Sequence, residues 1–144
     1  MEYNLNRFVE AQNNVYEQVV KELRQGRKTS HWMWYIFPQI KELGYSSTAM
    51  YYAISSLDEA TEYLNHPVLG YRLTECCQIL LRLENKTAED ILGNIDAMKL
   101  KSSMTLFSLI SDNPVYNQVL AKYFNEMKDN ATLRIIESGG FGSI

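Results

Sequence analysis

Helix-boundary signals recur along this chain at intervals of roughly ten to twenty residues, and that spacing constrains the fold more than any other feature. Phe8, Val15, Val19 and Leu23, joined by Ala11, Gln12 and Tyr16, recur at helical spacing and predict a first helix from Asn6 to Arg24. Arg24 lies in its last turn, and Gly26 stands where a left-handed residue closes a helix. Ser46 or Ser47 can cap a short helix through "TAMYYAI". Ser56-Leu57-Asp58-Glu59 reads as a capping box that opens a helix ending near Asn65. Pro67 fits a first helical position, where a missing amide costs nothing. The helix after it carries Leu69, Leu73, Cys76, Cys77, Leu80 and Leu83 on one face.

Thr87 to Asp90 opens a further turn that stops at Gly93. Ile95, Met98, Thr105, Phe107 and Leu109 follow with only loose periodicity. Asn113-Pro114 starts a helix through Val115, Val119 and Phe124, and Ala131 to Glu137 predicts one more turn before a frayed "SGGFGSI". The alternative is an α+β fold with "HWMWYIF" and "ATLRIIE" as strands, because aromatic and β-branched residues favour them. Six capped segments outweigh two ambiguous ones. The expectation is one all-α domain over residues 1–144, with about seven to eight short and medium helices.

The 144 residues suffice for a single core, burying roughly 68–70% of the unfolded chain's surface. A net charge of −3 argues against a general nucleic-acid binder, which carries a basic footprint. No apolar run approaches membrane-spanning length. The start "MEYNLNRF" lacks a basic-then-apolar secretion signal, and the two cysteines are neighbours that do not readily bridge. These features predict a cytoplasmic protein.

The stretch "GRKTSHWMWYIFPQ", Gly26 to Gln39, gathers two cations, a histidine, two tryptophans, a tyrosine and a phenylalanine. Ser30 can cap a helix starting at His31, and Pro38 forces Phe37 out of helical geometry, so about two turns fit. Trp32, Tyr35 and Ile36 then share one face, while His31, Trp34 and Phe37–Pro38 lie around another. A core contact absorbs one such face. The block is therefore either a hydrophobic plug with cations along its edge or the wall of a binding pocket, in which Arg27 and Lys28 meet an anion.

A second cluster, "GNIDAMKLKSSMTLF", holds Asp96, Lys99, Lys101, Ser102, Ser103 and Thr105. Asp96 and Lys99 are helical neighbours and can simply pair. Consecutive serine and threonine are poor helix-interior residues unless their hydroxyls are engaged, by backbone or by a ligand. His66 reads as a cap or a core-edge residue. His31, His66 and the cysteines lack zinc-ligand spacing, so no metal and no cofactor are expected. Cys76 and Cys77 read as buried helix residues rather than nucleophiles.

"RFVEAQ", "GRKTSHWMWYIFPQ", "LGYSS", "HPVLGYRL", "GNIDAMKLKSSMTLF" and "DNATL" resemble, in that order, the DUF-1810 family, a domain of unknown function. The resemblance runs from Arg7 to Leu133 and implies a compact all-α domain. It directs attention to Arg27, Lys28, His31, Trp32, Trp34, Phe37, Pro38 and Gln39 in one block, and to Asp96, Lys99, Ser102, Ser103, Thr105 and Phe107 in the other. The last third, "LFSLISDNPVYNQVLAKY" with "DNATLRIIES", is also similar to the end of the NADAR family, whose members cleave N-glycosidic bonds in ADP-ribose-like or riboflavin-precursor substrates. That similarity carries no catalytic residue across.

Two readings of function follow. In the first, the protein binds or hydrolyses a nucleotide-like, ADP-ribose-like ligand at an N-glycosidic bond. Trp32 or Trp34 stacks on the base. Arg27, Lys28, Lys99, Ser102, Ser103 and Thr105 hold its oxygens, Asp96 acts as acid, base or charge stabiliser, and His31 shuttles a proton. In the second, the protein is a non-catalytic module whose aromatic block meets a protein or peptide. Binding of single-stranded nucleic acid keeps the stacking residues but opposes the acidic charge.

Overall fold

Asn13 and Asn14 divide what the periodicity predicts as one opening helix into two. In the computed structural model, which describes residues 3–138, α1 (Asn6–Asn13) stops and α2 (Tyr16–Gln25) restarts once Val15 has left helical geometry. Asparagine side chains compete with the helical backbone, and two in succession mark the bend. The far end of α2 is as expected: Gly26 is left-handed at φ 74°, with Arg24 in the last turn.

Eight more helices follow: α3 (Met33–Ile36), α4 (Ser47–Tyr51), α5 (Leu57–Asn65), α6 (Leu69–Arg82), α7 (Ala88–Leu92), α8 (Asn94–Ile110), α9 (Val115–Phe124) and α10 (Asn130–Glu137). The fold is all-α. Among the described residues there is no strand, and the β-type pairing is an isolated parallel bridge between Ile40 and Ile54. "HWMWYIF" contributes the single turn α3, and "ATLRIIE" lies in α10, so neither is extended. Of the frayed tail the sequence predicts, residues 139–144 lie outside the described residues.

The caps fall close to their predicted places, with instructive departures. Ser46 accepts from the Ala49 amide at 3.0 Å, and Thr87 and Asp90 form a complete capping box. Ser56 accepts from the Glu59 amide at 3.0 Å, but the Glu59 carboxylate turns to the Ser55 amide and hydroxyl and to Arg7 at 3.0 Å. Arg7 also donates to the Tyr51 and Ala53 carbonyls, so Glu59 ties α1 to the turn before α5. Pro67 lies in a turn outside α6. His66 is the cap there, its Nδ1 accepting from the Val68 and Leu69 amides at 3.1 and 3.3 Å.

The longest helix, α8, packs against α5, α7, α9 and α10. Leu100 and the unbroken run from Ser102 to Phe107 are all buried. A helix with neighbours on several sides needs no polar face, which is why its sequence shows so weak a 3.6-residue period. Three of its hydroxyls are engaged by backbone: Ser102 donates to the Met98 carbonyl, Thr105 to the Lys101 carbonyl and Ser108 to the Thr105 carbonyl. Thr105 also accepts from the Asp129 amide at 2.9 Å, pinning the start of α10 to the core.

Candidate functional site

The aromatic block is organised by a residue that sequence reading passes over. Glu22, in the last turns of α2, is buried, and its carboxylate accepts five hydrogen bonds. They come from the Thr29 and Ser30 amides (2.8 and 3.1 Å), the Ser30 hydroxyl (2.6 Å), Trp32 Nε1 (2.9 Å) and Gln18 Nε2 (2.8 Å). Burial pushes this carboxyl up, but the donors, Ser30 and Gln18 foremost, outweigh it and hold the group well below the usual carboxylate range. Ser30 therefore serves Glu22 instead of capping a helix at His31. The helix begins two residues later, at Met33, and runs one turn rather than two.

With Trp32 anchored on Glu22 and the helix only one turn long, the block divides differently from the predicted faces: Phe37 and Pro38 join Trp32 in the interior, and Tyr35 is half-buried. Trp32, Met33, Ile36 and Phe37 are buried in the core, and Trp34 is half-buried at the surface. Trp32 is thus part of the core plug, and Trp34 lies beside a surface crevice.

Asp96, in the first turn of α8, joins the two predicted clusters. Its Oδ2 lies 2.9 Å from Lys28 Nζ and its Oδ1 3.7 Å from Lys99 Nζ. Lys28 also sits over the Trp32 ring and Lys99 over the Trp34 ring, each at 5.2 Å from the centroid. Lys28 is fixed from the backbone as well, its amide donating to the Ile91 carbonyl at 2.7 Å.

Trp34, Gln39 and Lys99 surround a crevice of about 10 Å³, which fills the junction between two larger concavities. Through Gln39 and Lys99 it shares a wall with a cavity of about 250 Å³ lined by Leu43, Ile95, Met98, Ser102, Asp129 and Ala131. Through Gly44 and Ala53 it shares one with a cavity of about 490 Å³ lined by Lys41, Glu42, Tyr45 and Met50. Tyr45, Ile95, Met98 and Met50 are 88%, 73%, 70% and 61% exposed. Neither the Trp34 indole N–H nor the Gln39 amide has a hydrogen-bond partner among the described residues. The result is an open groove with apolar ends and hydrogen-bond donors at its centre.

Other residues singled out by sequence lie elsewhere. His31 and Arg27 are exposed on the turn before α3, where the His31 carbonyl accepts from the Tyr35 hydroxyl at 3.2 Å. Thr105 supports the groove from behind through Asp129. Ser103 is fully buried and its hydroxyl has no partner among the described residues. An unsatisfied hydroxyl is a standing penalty of about 1–3 kcal/mol. Ser103→Ala is therefore expected to raise the urea midpoint, by about 1 kcal/mol of stability; a loss would mean that the hydroxyl has work to do. Burial pushes the Cys76 thiol up to about 12 and the Cys77 thiol well above its ordinary value, so neither is a nucleophile at neutral pH. Among the described residues no group of three or more His, Cys, Asp or Glu could hold a metal ion.

Glu22 has a sequence signal, although a faint one. It stands three residues after Val19 and beside Leu23, on the stripe that the first-helix pattern assigns to the core, where a carboxylate needs partners. Four of its five donors lie seven to ten residues further on, in "TSHW", and only the left-handed turn at Gly26 brings them back.

The fold and groove define an all-α domain with an open aromatic and lysine-bearing face. The chain belongs to the DUF1810 family, described as a protein of unknown function, whose model matches residues 2–136. It is similar to a solved structure, the conserved hypothetical protein Rv1873 from Mycobacterium tuberculosis, at 47% identity and a TM-score of 0.91. That likeness covers 92% of this chain and 96% of the other. No curated protein matches the chain. Neither match bears on the NADAR similarity of the last third.

Proposed function

We propose that this protein is a non-catalytic binding module that receives a peptide segment of a partner along the groove centred on Trp34. The observation that carries this reading is the state of Trp34: its indole N–H has no partner among the described residues, and the side chain lies at the meeting point of two shallow concavities. Exposed Tyr45 and Met50 stand on one side, Ile95 and Met98 on the other. Clustered exposed apolar residues around an aromatic anchor mark an interaction surface, and methionines adapt their shape to what they meet.

A second reading, a nucleotide-like ligand acted on at Asp96, draws support from the convergence of Lys28, Asp96, Lys99 and Trp34. Against it stand the two ammonium groups already occupying the carboxylate and the position of Asp96, which lines none of the three concavities around Trp34.

Selection of a displayed random-peptide library on the immobilised protein tests the proposal. Enriched peptides are expected to bind the wild type and to lose about tenfold or more in affinity for Trp34→Ala, the loss of one aromatic anchor. Enriched peptides indifferent to Trp34→Ala would contradict it. So would the absence of enrichment together with a rise in melting temperature on adding ADP-ribose.

A further inference from the structure

The groove carries a charge that the fold does not use, and the charge states what the partner must bring. Two ammonium groups share the single carboxylate of Asp96. Lys28 takes it at 2.9 Å with a side chain only 9% exposed, and Lys99 stands at 3.7 Å, 23% exposed, towards the Trp34 face. The shorter, more buried pair neutralises Asp96, so Lys99 is left with a surplus positive charge.

Among the described residues, no other carboxylate lining the groove pairs with Lys99. Lys41 and Glu42 stand side by side in sequence in the larger cavity and offset each other. The Asp129 carboxylate keeps its charge in the cavity it shares with Lys99, but among the described residues it makes no ion pair with Lys99; it caps α10, accepting from the Thr132 amide and hydroxyl at 3.0 and 2.6 Å, where the partial positive charge of the helix start opposes it. The remaining free polar groups at the centre, the Trp34 indole and the Gln39 amide, add donors. A net charge of −3 over the chain makes this local cation a specific feature and not part of a basic surface.

Resting on the binding reading above, we infer that the partner segment presents a carboxylate, from Asp or Glu, between apolar residues. The carboxylate meets Lys99 and accepts from the Trp34 indole, while the apolar neighbours settle against Ile95 and Met98 on one side and Tyr45 and Met50 on the other. Charge-assisted hydrogen bonds of this kind fix register, and the apolar ends supply the buried area.

Three degenerate pools of short peptides, apolar on both sides of a central Glu, Gln or Lys, test the inference by retention on the immobilised protein. The wild type is expected to retain the Glu pool about tenfold better than the Gln pool, a difference of one charge-assisted contact, and to exclude the Lys pool. Lys99→Met keeps the aliphatic stem and should erase the preference. Lys99→Glu should reverse it towards the Lys pool. Equal retention of the three pools by the wild type would overturn the charge inference and leave the peptide-binding reading standing. A Glu preference that persists in Lys99→Met would also overturn it. Retention of none of the pools, with tight binding of AMP or ADP-ribose instead, would overturn both.

Discussion

Glu22→Ala is expected to destabilise the protein by roughly 3–5 kcal/mol, because it strips the acceptor from five donors at once in a buried place. Trp32 Nε1 and the Thr29 and Ser30 amides would be left without partners, and the turn that presents Trp34 would lose its anchor. The pH dependence has a definite sign. The folded carboxyl lies below its ordinary value of 4.5, so the stability it contributes is complete above that value and is lost as pH falls towards the folded one. Glu22→Gln retains one oxygen acceptor and cannot titrate. Its stability should therefore be lower at neutral pH and decline less steeply on acidification than the wild type's. Urea midpoints at neutral and acid pH read both effects. Parallel acid limbs for the two proteins would remove Glu22 from the explanation.

Gly70→Ala is the second large effect. A Cβ at Gly70 would meet the Leu64 carbonyl oxygen at 2.0 Å, a backbone atom that cannot rotate aside. Gly70 lies in the first turn of α6, where its amide also holds the His66 carbonyl at 2.9 Å, so relief requires α5 and α6 to move apart. Their contact is part of the core around Tyr63, Leu69 and Leu73. The expected loss is roughly 3 kcal/mol or more, at the upper end of overpacking. Gly93 provides the contrast: a Cβ there meets nothing within 4 Å, but its φ is 86°. With ψ at 165° that backbone is in a region essentially reserved for glycine, so alanine at Gly93 should cost only this strain, about 1–3 kcal/mol. Melting both variants beside the wild type checks the order; equal losses would contradict the assigned causes.

The elements legible in sequence are those whose signals are local. Gly26, Ser46, and Thr87 with Asp90 act on backbone three or four residues away, and periodicity alone places the buried face of α6. What escapes such reading is set by contacts made at a distance. Ser30 looks like a cap because its true partner, Glu22, lies on the preceding helix. Glu59 looks like half of a capping box because Arg7, more than fifty positions earlier, is invisible to a local rule. Ser103 and Thr105 look like ligand contacts because a helix buried on several sides shows no polar face by which to orient them.

The candidate site divides the same way. Asp96 meets Lys28 and Lys99, so the two sequence blocks touch, but of the residues that the ligand reading joins, His31 stands exposed on the turn before α3, and Lys28 and Asp96 line none of the concavities around Trp34. The separation of Trp32 from Trp34 depends on a carboxylate that no local pattern assigns to either.

That separation also supplies the most direct measurement of the central claim. The protein has two tryptophans, hence two indole N–H cross-peaks in a proton–nitrogen NMR spectrum. Titrating a selected peptide should shift the Trp34 indole peak, together with amides at Gln39, Leu43 and Lys99. The Trp32 peak, held by Glu22, should stay in place. A peptide that binds while the Trp34 peak remains fixed, or that moves the Trp32 peak instead, would contradict the account.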